Sequence, residues 1–228
     1  MKKLIFVLLI IAQVFFYNCA EEDKAAKDID KIPMQVTVAR FDKEFANATI
    51  EDIPVLKNEY PYLFPNQYPD SIWLAKLKDT IQIELNTEVE KAFPNFDKET
   101  EDLNLLFKHI KYYFPKFPIP KVITLTSDVG YENRVILADS LLLIGLDNYL
   151  GKDHKFYIGF QNYIAVALDE KFLISDVANA FCEKVMPYQQ GRTFLDQIIY
   201  YGRELYLKDK LMPFQSEAQR RYLWANEP

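Results

Sequence analysis

The chain is short of the residues from which most catalytic and metal sites are built. Its 228 residues include only two histidines, His109 and His154, and two cysteines, Cys19 and Cys182. The histidines lie far apart in sequence and have no cysteine nearby, so neither an HExxH zinc helix nor a Cys/His zinc cluster can be written on this chain. No GxSxG elbow, P-loop or GxGxxG turn occurs, and no Ser/His/acid set suggests itself. Positive charge is also in deficit, with 27 Lys plus Arg against 33 Asp plus Glu. That balance argues against a nucleic-acid partner, because binding a phosphate backbone needs a basic patch to release counterions. Glycine is scarce at six residues, while 12 Pro, 15 Tyr and 17 Phe make the chain stiff and aromatic, with ample material for one packed core.

The longest apolar run is at the start. Lys2 and Lys3 precede 14 residues from Leu4 through Tyr17, interrupted only by Gln13. A permanent span needs roughly 20 apolar residues, so this run is short for an anchor and suits a signal h-region. It ends at Tyr17-Asn18-Cys19, and the arrangement resembles a bacterial lipoprotein signal whose cysteine is lipidated and becomes the first mature residue. On that reading residues 1–18 are removed and Cys19 carries the lipid. Residues 19–33 form a charged, solvated tether, and residues 34–228 form one globular domain. More than one acyl chain on Cys19 would hold it stably in a membrane, whereas a single chain binds marginally. With Cys19 so used, no disulfide can form.

Downstream, the pattern is that of an α+β domain, a small mixed or antiparallel sheet packed with several helices. "MQVTVARF" alternates as a first strand, with Val36, Val38 and Phe41 toward the core. Prolines at 61, 65 and 69 break a short helix, and "SIWLAKLKDTIQIELNTEVEKAF" reads as a helix or helix pair ending near Pro94. From Lys98 to Phe114, Leu103, Leu106, Phe107, Ile110, Tyr113 and Phe114 share one helical stripe. "VITLT" is a strand, and "RVILADSLLLIGLDNYLG" holds two strands around a turn at Asp139-Ser140. Ser175 or Asp176 can cap a helix that places Cys182 among core residues. A last helix opens with Thr193 and Asp196 in capping-box spacing. Its stripe of Leu195, Ile198, Ile199, Gly202, Leu205 and Tyr206 should face the core, with Gly202 allowing close approach of another backbone.

Candidate chemistry is sparse. His109 falls on the polar side of its helix and His154 in the turn "GKDHK", so both are expected on the solvated surface. Acid pairs such as Glu101-Asp102 and Asp169-Glu170 lack the spacing of a calcium loop. Asp70-Ser71-Ile72, Asp79-Thr80-Ile81 and Asp139-Ser140-Leu141 match an O-glycosylation pattern of exported Bacteroidota proteins, and also suit ordinary helix caps and turns.

Taken with the signal and Cys19, the stretches "VARFDKEF", "EYPYLFP", "LLLIGLDNYLG" and above all "RTFLDQIIYYGRELYLKDKLMP" resemble the gliding motility lipoprotein GldB family of Bacteroidota. The resemblance covers nearly the whole chain. It implies a lipid-anchored protein of the cell envelope, periplasmic or outer-membrane, acting with other gliding or type IX secretion envelope proteins. It also implies further C-terminal helical sequence after "LWANEP". A distant likeness to zincin-type peptidases would put HExxH on the last helix, but Tyr200, Tyr201 and Glu204 stand there. Phenols and one carboxylate cannot replace two imidazoles and a glutamate base. The reading is therefore of a non-catalytic protein without metal or cofactor that works by contact. An envelope hydrolase using carboxylates such as Glu204 and Asp176 is the alternative, and a sugar-binding surface a third reading.

Overall fold

In the computed structural model, which describes residues 24–187 and 191–220, prolines and polar caps set the boundaries of the elements. Residues 24–30 are helical (α1), and Ile29 is buried. The second half of the expected tether is therefore folded onto the body, and Lys108 donates to the Asp30 carbonyl. The first strand is only two residues, β1 (Val38–Ala39), and Phe41 opens α2 (Phe41–Ala46) instead of extending that strand. Arg40 ends the strand because its guanidinium turns back onto Asp42 and the Phe93 carbonyl. α3 (Ile53–Glu59) carries Pro54 in its first turn, where a missing amide costs nothing. α4 (Asp70–Lys78) and α5 (Thr80–Ala92) are the expected pair, divided at Asp79, whose carboxylate accepts the Ile81 N–H at 2.9 Å.

α6 (Asp97–Tyr113) lies within one residue of its expected bounds. Leu103, Leu106, Phe107 and Ile110 are buried as its periodicity requires, while Tyr113 is exposed. β2 (Lys121–Leu125), β3 (Val135–Leu137) and β4 (Leu141–Gly145) complete a four-stranded mixed sheet in the order β1-β2-β4-β3. β1, β2 and β4 run parallel, and β3 returns antiparallel along β4 through the turn at Asp139-Ser140. The short α7 (Asn162–Ala165) leads to α8 (Leu173–Val185), α9 (Phe194–Leu211) and the brief α10 (Glu217–Arg220).

Successive residues of β2 point to opposite faces, and Val122, Ile123 and Thr124 are all buried, so the sheet is covered on both sides. Val122, Leu142 and Ile144 pack with Leu103, Leu106 and Phe181 of α6 and α8. On the other side Ile123 meets Phe41, Ile53, Tyr60 and Phe64, whose rings contact edge-on around Phe41. An α+β domain is thus observed. Cys182 is fully buried, as expected, and burial pushes its thiol up to about 12. Residues 1–23, with Cys19, lie outside the described residues.

Candidate functional site

The first turn of α8 carries the densest buried chemistry. A 3₁₀ turn at Glu170–Phe172, capped by Asp169, feeds the helix from its N-terminal side, so Ser175 and Asp176 sit inside the helix and neither caps it. Asp176 is 5% exposed and accepts from Arg134 through Nε at 2.6 Å and Nη2 at 2.9 Å, and from the Tyr149 hydroxyl at 2.8 Å. Burial and the neighbouring Asp176 charge push the Tyr149 phenol well above its usual range. This is a fork-on-carboxylate pair with its remaining lone pairs used, which is what a buried charge requires.

Beside it, Lys208 of α9 is completely buried. Its Nζ donates to the Ser175 hydroxyl at 3.0 Å, and Ser175 donates in turn to the Gln219 carbonyl at 2.9 Å. Desolvation pulls the ammonium down to about 8, opposed by the pull of Asp176, Glu204 and Asp209. Asp176 and Glu204, the two acids of the hydrolase alternative, thus both border this lysine. Asp176 is held in a structural ion pair, and Glu204 is half-buried on α9. The sequence pattern offers Ser175 only as a helix cap and does not single out Lys208 or Arg134. Arg134 lies 42 residues from Asp176 in sequence, and a single lysine late in an amphipathic helix reads as solvated.

A second centre lies where β2 and β4 end. The Asp147 carboxylate, fully buried, accepts from the Ser127 N–H at 2.9 Å and the Val129 N–H at 2.6 Å, pinning a loop in which Asp128 and Val129 are left-handed (φ 55° and 57°). A β-branched residue there is strained, and the carboxylate holds it. Burial pushes the Asp147 carboxyl up, against the pull of those amides. Gly145 is required nearby, since an added Cβ would lie 2.7 Å from the Ser127 hydroxyl.

The histidines depart from expectation. His109 is half-buried with Nδ1 2.8 Å from the Leu105 carbonyl and its ring against Phe214, and desolvation pulls its pKa down. His154 stacks on Phe156 with Nε2 3.4 Å from a Glu88 oxygen. Among the described residues no group of three or more His, Cys, Asp or Glu is placed to hold a metal, and no helix is long and apolar enough to cross a membrane.

The largest departure is α9. Thr193 and Asp196 form the expected capping box, the Asp196 N–H donating to the Thr193 hydroxyl at 3.2 Å. The apolar stripe, however, does not face the core. Leu195 is 64% exposed, Ile199 50% and Tyr206 67%, whereas Lys208 and Leu211 point inward. An added Cβ on Gly202 would meet nothing within 4 Å among the described residues, so the close neighbour that this glycine suggested is not among them. A groove of about 550 Å³ runs along this face, between Ile199, Gly202 and Tyr206 of α9 and Val185, Met186 and Phe114. Such an apolar, open surface suits a macromolecular partner better than a small polar substrate.

A family model described as gliding motility protein GldB, and labelled as a lipoprotein family, matches residues 22–222. No curated protein and no solved structure matches, so the likeness to zincin-type peptidases has no support here.

Proposed function

Because the chain belongs to the gliding motility protein GldB family, we propose that it is anchored in the cell envelope by lipid on Cys19 and works through contact with protein partners, not by turnover. The observation that carries this reading is the exposed apolar face of α9. Five large side chains, Phe194, Leu195, Ile198, Ile199 and Tyr206, are each at least 49% exposed on one capped helix. Leaving that much apolar surface in water is unfavourable by roughly 25 cal/mol per Å² unless something covers it. The acids point the same way. Asp176 has its oxygens committed to Arg134 and Tyr149, and Asp147 to the loop amides, so neither is poised to exchange a proton with a substrate. The partners on this reading are other envelope proteins of the gliding or type IX secretion apparatus.

Two measurements test it. Cys19→Ser should move the protein out of the membrane fraction, and mass spectrometry of the native N-terminus should find acyl mass on Cys19. A Cys19→Ser protein that stays membrane-bound refutes the anchor. Leu195→Asp with Ile199→Asp should abolish gliding without unfolding the domain, since each side chain is at least half exposed. Undiminished gliding refutes the contact surface.

A further inference from the structure

The stripe on α9 has a spacing that limits what can lie on it. Leu195, Ile199, Gly202 and Tyr206 follow each other at intervals of four, three and four residues, the seam of a two-helix coiled coil. The order of sizes along it is large, large, none, large. Set against a reversed copy of itself, the stripe brings Leu195 onto Tyr206 and Ile199 onto Gly202, twice each about a twofold axis. Every layer then joins a bulky side chain to a partner, and the two glycines receive the two isoleucines. A parallel copy would put glycine on glycine and leave a void.

Charge agrees with the reversed pairing. Arg203 flanks the seam near its middle and Asp196 flanks it on the same side two turns earlier, so a reversed copy brings the Arg203 of each helix toward the Asp196 of the other. In a parallel pair these two positions fall on opposite sides of the seam and gain no such contact. With about 150–200 Å² for each large side chain, the exposed fractions of Leu195, Ile198, Ile199 and Tyr206 amount to about 400 Å² per copy. The total of about 800 Å² is the size of a weak, transient interface.

Resting on the contact reading above, we propose that the partner of this face is a second copy of the chain, docked through α9 in an antiparallel, twofold pair centred between Ile199 and Gly202. An interface of this size is weak in dilute solution and is favoured when both copies are confined to one membrane.

Sedimentation of the full chain should show a concentration-dependent monomer–dimer equilibrium. Gly202→Leu and Ile199→Asp should each weaken it at least tenfold with helical content unchanged, because both positions face solvent in the monomer. Orientation is read by oxidative crosslinking in a Cys19→Ser, Cys182→Ala background. Leu195→Cys and Tyr206→Cys proteins should stay uncrosslinked alone and form a dimer when mixed. A monomer at every concentration, a dimer indifferent to both seam variants, or crosslinking of Leu195→Cys alone overturns the proposal. If the monomer instead binds anionic lipid vesicles through Ile199, the face belongs to the membrane and self-pairing is refuted. Loss of gliding in the Ile199→Asp strain alongside a monomeric wild type would leave the contact reading standing while removing this partner.

Discussion

Replacing Lys208 by methionine should make the protein more stable, and by an amount that depends on pH. The ammonium is fully buried and is pulled from 10.5 down to about 8. At about 1.4 kcal/mol per pKa unit, keeping it charged in the folded state at about pH 7 costs about 3 kcal/mol. The sign follows from proton binding. Between the folded and unfolded pKa values the unfolded chain holds more protons, so the contribution of this lysine to stability rises with pH through that window and the penalty fades. Methionine fills nearly the same volume without charge, Ser175 keeps its bond to Gln219, and Asp176 keeps Arg134 and Tyr149. Urea melts should therefore place the Lys208→Met protein about 3 kcal/mol above wild type at about pH 7, and only about half that or less above it at about pH 9.5. Comparing the two proteins at each pH cancels the other titrating groups, Cys182 and Tyr157 among them. A gap that does not change with pH, or a Lys208→Met protein less stable than wild type throughout, would refute the account of this lysine.

Four further outcomes follow from local geometry. Gly202→Ala should raise unfolding free energy by about 0.5–1 kcal/mol in dilute solution, as its new methyl meets nothing and the helix gains propensity; a loss of stability would mean that the face is covered within the monomer. Thr193→Ala should cost about 1 kcal/mol in denaturant melts by removing the α9 cap. Asp147→Ala should cost about 3 kcal/mol or more, since the Ser127 and Val129 amides lose their acceptor and the left-handed loop is freed. Desolvation lowers the pKa of His109, so the folded state resists its protonation and stability should fall as pH drops through the unfolded value of about 6.5; His109→Phe should flatten that slope in pH-dependent melts.

Much of the fold was legible because local patterns coincide with what tertiary packing requires. The α6 stripe is apolar at helical spacing and is buried, the β3–β4 pair turns at Asp139-Ser140, and Thr193 with Asp196 caps α9. The readings that failed have physical reasons. Periodicity identifies which face of α9 is apolar, but whether a neighbour covers that face is a tertiary fact, and here Lys208 points inward while Ile199 does not. Asp176 resembles a cap because short polar residues favour helix starts. The helix instead begins at Leu173, led by the Asp169-capped turn, and Asp176 is drawn inside by Arg134. His109 lies on a polar stripe that α1 and the segment after α9 shelter, neither of which a single-helix pattern can see.

The folding of residues 24–30 onto the body bears on the mechanics of anchorage. If the lipid is on Cys19, five residue steps separate it from Lys24, at most roughly 17 Å of chain at full stretch. That is a short leash. With that anchor it would keep the domain close to the bilayer, limit how far it can tumble, and pass a pull on the body to the lipid with almost no slack to take up first.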